Sequence, residues 1–153
     1  MKSVFYITLL LLLFGCGLGR SQTNLRVRLI YLQNGKPAVH QRIVLYEGDP
    51  SRSSTAQIEG TTAADGTATF RLAAPLPKSV WVYESNGKIE GCAWENQLPV
   101  DVIIRRGLTV GVDERYGSRC KGDRALIDSL VPGPGEIVMF VRKLTVWDGL
   151  RRY

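Results

Sequence analysis

The sequence predicts an all-β fold, an antiparallel sandwich of about seven strands with at most one short helix near residues 121–130. Three observations carry that expectation. Apolar and polar residues alternate with a period of two in several segments. Asn34-Gly35, Asp65-Gly66 and Asn86-Gly87 are pairs that favour tight hairpin turns. Sixteen glycines and seven prolines among 153 residues supply the turns such a chain needs. Hydrophobic residues at 44% and charged residues at 22% lie near the globular average, which excludes wholesale disorder and leaves enough apolar material for one core.

Residues 1–22 read as an export signal rather than as part of the fold. Lys2 is the only charge before Arg20, and between them lies an apolar stretch with five consecutive leucines, closed by the small residues Gly15, Gly17 and Gly19. A positive start, about a dozen apolar residues and a small-residue patch form the pattern of a cleaved leader. The stretch is shorter than the ~20 residues a membrane-spanning helix needs, and no later segment approaches that length. Gly19 and Ser21 occupy the two positions a signal peptidase reads before Gln22. Leu13-Phe14-Gly15-Cys16 instead resembles the box in which Cys16 would be lipidated, although Phe14 fits it poorly. Cleavage near Gln22 is the expectation and a lipid anchor on Cys16 the alternative. On either reading the chain is exported and works in the periplasm, at the cell surface or outside.

Export narrows the chemistry. Without Lys2 and Arg20 the twenty basic residues become eighteen against fourteen acidic ones, a charge of +4 with no run of like sign. A nucleic-acid binder needs a clustered basic stripe, so that class is excluded. Cys92 and Cys120 remain, an even count in an oxidising compartment, and a disulfide between them is expected. The loop it closes spans 28 residues, for which chain entropy gives about 3.5 kcal/mol. Two buried free thiols are the alternative. A zinc site needs four ligands, and His40 is the only histidine, so no metal or other cofactor is expected.

Within the domain, residues 23–147, the first strand covers 25–32, with Leu25, Val27, Leu29 and Tyr31 toward the core. Asn34-Gly35 turns the chain, and residues 42–46 form the next strand. Residues 48–54 are a polar loop. After Asp65-Gly66, Ala68, Phe70 and Leu72 point one way and Thr67, Thr69 and Arg71 the other. Residues 80–83 and 89–94 flank the Asn86-Gly87 turn as a hairpin. Residues 100–104 and 108–112 read as short strands. Residues 123–130 read as a short helix, capped by Asp123, with Leu126 and Leu130 on one side. Residues 136–146 form a long final strand, apolar on both faces at first, which places it centrally with cover on both sides. Residues 148–153 are a polar tail.

Residues 25–83 resemble a transthyretin-like or carboxypeptidase-regulatory-type β-sandwich domain of exported bacterial proteins. The resemblance is carried by the opening strand, by Asn34-Gly35-Lys36-Pro37-Ala38, by Ile43-Val44-Leu45, and by Thr62-Ala63-Ala64-Asp65-Gly66-Thr67-Ala68-Thr69-Phe70. It implies an Ig-like arrangement of about seven strands in two sheets and an accessory role of binding or structure. Enzymes on that fold that hydrolyse purine-degradation intermediates use several histidines and a terminal Tyr-Arg-Gly-Ser. Here Arg115-Tyr116-Gly117-Ser118 reverses the first pair and lies far from the end.

Candidate chemistry is sparse. No Gly-x-Ser-x-Gly elbow or phosphate loop occurs, and His40 lies in a loop. Glu84, Glu90, Glu95, Asp113 and Glu114 are the carboxylates from which a small hydrolase would have to draw its acid and base. Trp81 and Tyr83, two apart on one strand, share a face. If Val80 and Val82 face the core, both rings face outward and form a surface for a sugar or a partner. In the opposite register, the commoner fate of large rings, they are core. The sequence thus points to an exported, non-enzymatic module with a binding or structural role. Its partner would be an envelope or extracellular protein or a glycan, and a carboxylate-dependent hydrolase is the alternative. N-terminal sequencing of the exported protein is expected to begin near Gln22; a lipid-blocked Cys16 would identify an anchored form instead.

Overall fold

The computed structural model describes residues 22–84, 87–93, 97–111, 120 and 124–145. Residues 1–21, Cys16 among them, and the tail lie outside them, as do Asn86, Glu95, Asp113, Glu114, residues 115–118 and Asp123. The described strands are β1 (Gln22–Tyr31), β2 (Arg42–Glu47), β3 (Ala56–Thr61), β4 (Thr67–Ala73), β5 (Ser79–Glu84), β6 (Ile89–Gly91), β7 (Gln97–Pro99), β8 (Leu108–Val110) and β9 (Glu136–Lys143). Two short helices accompany them, α1 (Val100–Arg106) and α2 (Arg124–Ser129). One sheet runs β4-β1-β9-β6, with β8 also on β9; the second runs β3-β2-β5-β7. The all-β sandwich predicted from the alternation is what forms.

Pleating decides which residues fill the space between the sheets. Leu25, Val27 and Leu29 of β1, Ala68, Phe70 and Leu72 of β4, and Ile137, Met139 and Val141 of β9 line the inner face of the first sheet. Ile43 and Leu45 of β2, Val80 and Val82 of β5 and Leu98 of β7 meet them from the second. Tyr31 packs at the margin, with Lys143 Nζ 5.3 Å from its ring centroid. The central position expected for the last strand is also observed. β9 lies between β1 on one side and β6 and β8 on the other. Its outward residues Val138 and Phe140 join Ile30, Leu32 and Cys92 in a second apolar layer, covered by Cys120 and by Ile127 and Leu130 from the α2 region. Cys92 and Cys120 are bonded, with S–S 2.04 Å and Cα atoms 5.2 Å apart.

The turn phrases of residues 34–38 and 62–66 meet on β1. Leu29 donates its N–H to Gly66 O at 2.9 Å and accepts Ala38 N–H at 2.9 Å. Thr62 is buried; its hydroxyl donates to Ala38 O at 2.6 Å and accepts Gln41 N–H at 2.9 Å. Asp65 Oδ1 accepts Thr67 N–H at 2.9 Å and closes the turn. Gly66 has φ +78°, and a Cβ there would stand 2.7 Å from Leu29 O and 2.9 Å from Pro37 Cβ.

Five features depart from the sequence reading. Residues 80–83 and 89–94 do not form the expected hairpin, because β5 pairs with β2 and β7 in the second sheet while β6 pairs with β9 in the first. Residues 100–104, expected as a strand, begin α1. Val100 and Ile103 are buried and Ile104 is partly buried, a spacing of three and four that fits a helix. Asp101 in its first turn, Arg105 and Arg106 in its last, and the Asp101–Arg105 pair at 2.6 Å complement the helix dipole. The β-branched content of this segment had argued the other way. This makes a second short helix beside α2, which falls where the one helix was expected. Two strands, β3 and β7, had no alternating apolar signal, so nine strands are described rather than about seven. The sheets are mostly antiparallel, but β9 runs parallel to both β1 and β8.

Gly66→Ala is expected to destabilise the fold by roughly 2–4 kcal/mol, because a left-handed backbone and a clash with backbone oxygen add. Gly87→Ala is the control. Gly87 has φ +65°, and among the described residues nothing stands within 4 Å of its missing Cβ. That change should cost only about 1 kcal/mol. Urea unfolding of the two variants measures the difference.

Candidate ligand-binding face

Because Val80 and Val82 are fully buried in the sandwich core, Ser79, Trp81 and Tyr83 stand on the outer face of the second sheet. The structure therefore holds the outward register of this strand. β2 runs antiparallel beside β5, with Tyr46 opposite Trp81 and Val44 opposite Tyr83. The inward Ile43 and Leu45 thus bring Tyr46 to the same outer face. β3 places Gln57 opposite Tyr46 and Glu59 opposite Val44. β7 places Gln97 opposite Trp81. One row of outward side chains crosses the sheet as Gln57, Tyr46, Trp81 and Gln97.

The three rings pack on one another. Trp81 and Tyr83 lie with centroids 6.3 Å apart and planes 12° from parallel. Tyr46 meets Tyr83 edge to face, at 5.8 Å and 83°. All three are half-buried, and Val44 among them is 6% exposed. Trp81 Nε1 is buried and has no hydrogen-bond partner among the described residues, so what the indole shows to solvent is carbon. Tyr46 escaped the sequence reading, although the Ile43-Val44-Leu45-Tyr46 alternation contained the signal.

Two of the carboxylates around the rings lie beside arginines. Arg42 Nη2 lies 2.5 Å from Glu59 Oε2, and its donated hydrogen bonds hold the Glu59 carboxyl below its ordinary range. Asp49 is likewise lowered, first by the Ser51 hydroxyl and then by the Ser51 backbone N–H, and Arg52 Nε is 3.9 Å away. The Glu84 carboxylate accepts Gly91 N–H. At the rim, Gln97 Nε2 donates to Ser79 Oγ at 3.3 Å and Gln57 Nε2 to Glu59 Oε1 at 3.2 Å. The phenol of Tyr83 is pushed above its ordinary value by burial, and further by Tyr46, Asp49 and Glu84.

The two outer faces of the sandwich differ. On the first sheet the outer apolar residues are covered by the α2 region and fastened by the Cys92–Cys120 bond. α1 follows β7 and packs Val100 and Ile103 into the main core. Neither described helix belongs to the outer face of the second sheet. An open groove of about 450 Å³ lies at the end of the sandwich, between Leu76, Pro77 and Lys78 on one side and Val100, Asp101 and Ile104 on the other.

The remaining candidates are dispersed. His40 is exposed, at φ 55°, with its backbone N–H donated to Thr62 O. Glu90 accepts Arg142 Nε at 3.0 Å and Arg142 Nη2 at 2.5 Å, a fork that engages its carboxylate. Among the described residues no group of three or more His, Cys, Asp or Glu side chains could hold a metal ion, and no helix is long and apolar enough to cross a membrane. Compared with known proteins, the chain matches no protein-family model, no curated protein and no solved structure.

The raised pKa of Tyr83 has a defined sign. Its neutral form is favoured in the fold, so the associated stability is present below the ordinary phenol value near 10 and is lost as pH rises through the higher folded value. The difference in phenolate absorbance between the native protein and Tyr83→Phe is expected to titrate above pH ~10. A difference curve centred at or below that value would show a phenol with ordinary solvation.

Proposed function

We propose that the protein is an exported, non-enzymatic β-sandwich module that binds a ligand or partner through the outer face of its second sheet. The observation that carries this reading is the cluster of Tyr46, Trp81 and Tyr83 on a face with which neither described helix is associated. An outer sheet face that met only water would read as polar alternation. Large rings there are the residues that supply most of the contact energy at recognition surfaces. The Cys92–Cys120 bond suits an oxidising compartment and so supports export, as do the leader-like residues 1–22. The resemblance of residues 25–83 to transthyretin-like and carboxypeptidase-regulatory-type domains supports an accessory role over catalysis. So does the engagement of Glu84 and Glu90 in hydrogen bonds and an ion pair.

The test is retention of the purified domain on the native cell-envelope fraction. Trp81→Ala and Tyr83→Ala should each weaken retention at least fivefold, the equivalent of more than ~1 kcal/mol for a hot-spot ring. Both should remain folded, since a half-buried outer ring costs less than the roughly 3–5 kcal/mol of a core aromatic such as Phe70. Wild-type retention by both variants would refute the reading.

A further inference from the structure

We infer that the ligand of this face is an uncharged carbohydrate chain; the inference rests on the binding reading above and names its substrate class. A pyranose ring has a flat side of C–H groups and a rim of hydroxyls. It therefore needs a flat apolar surface with neutral donors and acceptors at its edge. Trp81 and Tyr83 lie near-parallel and adjacent on one strand, so together they make one continuous apolar patch along it. The indole presents carbon rather than its N–H. At either end of the central row stand the exposed amides of Gln57 and Gln97, with the Ser79 hydroxyl beside Gln97. Amides and hydroxyls both donate and accept, as sugar hydroxyls do.

Charge argues for a neutral ligand. The central row Gln57, Tyr46, Trp81 and Gln97 carries no charge, and the nearby Arg42–Glu59 and Arg52–Asp49 pairs are each neutral, so none of these groups steers an ionic partner. Size argues against a second copy of the chain. Three strands of six residues and one of three, ~4.8 Å apart and rising ~3.3 Å per residue, make a face on the order of 300 Å². A stable protein interface needs about 800 Å² from each partner.

The experiment is native gel electrophoresis of the whole exported protein through gels containing soluble starch, galactomannan or glycol chitin. The wild type should be retarded by at least one of them. Retardation should persist in added salt and fall at least fivefold in Trp81→Ala. Tyr83→Ala serves the same purpose should Trp81→Ala fail to fold. Passage of the wild type through all three gels unretarded overturns the inference, as does retardation that ignores both rings or disappears with salt. Ring-dependent self-association in sedimentation also overturns it. Envelope retention separates the two levels of the argument. Retention that needs the rings but is destroyed by protease and spared by glycan digestion overturns the carbohydrate and leaves the binding reading standing. Retention indifferent to the rings removes both.

Discussion

The rest of the structure depends on β9, which has no side that can face water. Residues 137–141 are all at most 2% exposed, so successive side chains on both faces of the strand must be covered. One face is answered by the second sheet, whose Ile43, Leu45, Val80 and Val82 close the main core. The other is answered by the α2 region, whose Ile127 and Leu130 lie over Val138 and Phe140. A helix of six residues is too short to persist on its own propensity. The Cys92–Cys120 bond supplies what propensity does not. Cys92 is itself fixed, fully buried with its N–H donated to Phe140 O at 2.9 Å, so the tether is anchored in the layer it covers.

The strand beside β9 is held from both directions. β1 pairs with β9 through Arg26 to Tyr31, and with β4 through Gln22 to Arg28. Its last residues then bond to the segments around Pro37 and Gly66: Leu29 and Tyr31 donate to Gly66 O and Lys36 O, and Leu29 O accepts Ala38 N–H. Short-range turn chemistry and long-range topology therefore coincide at Leu29. The Asp65-Gly66 turn is more than a reversal between β3 and β4, because its glycine lies against the backbone of β1 and Pro37, where a Cβ would not fit. Thr62 adds a buried hydroxyl that is both donor and acceptor, which fixes the loop before β2 to the loop before β4.

These features were legible in the sequence because they are local or periodic. Leu25, Val27 and Leu29, then Ala68, Phe70 and Leu72, announce a half-buried strand by alternation, and 137–141 announce a doubly buried one by its absence. What escaped has the opposite character. β3 is a polar edge, with Gln57, Glu59 and Thr61 exposed, and its existence is owed to pairing with β2. α1 is written in valine and isoleucine, whose strand preference outweighed a helical spacing of only two turns. The candidate face was half legible. Trp81 and Tyr83 are visibly two apart, but whether they look in or out is a property of register, and Tyr46 reaches them from a different strand.

Register is where the core and the aromatic face meet. In β5 the valines that hold the two sheets together alternate with the rings that stand outside, so a slip of one residue would exchange them completely. The slip is opposed at three places at once. Val82 faces Leu45, and Val80 faces Leu98, both pairs fully or almost fully buried. Outside, Trp81 is flanked by Tyr46 and Gln97. Exposing two core valines would forfeit about 1.5–3 kcal/mol each, and placing an indole and a phenol between the sheets would overfill a packed interior. The surface rings are thus positioned by buried residues of the core beneath them. Among the described residues the disulfide-tethered helix covers the first sheet, and neither helix covers this second face, which is held from beneath by Val80 and Val82.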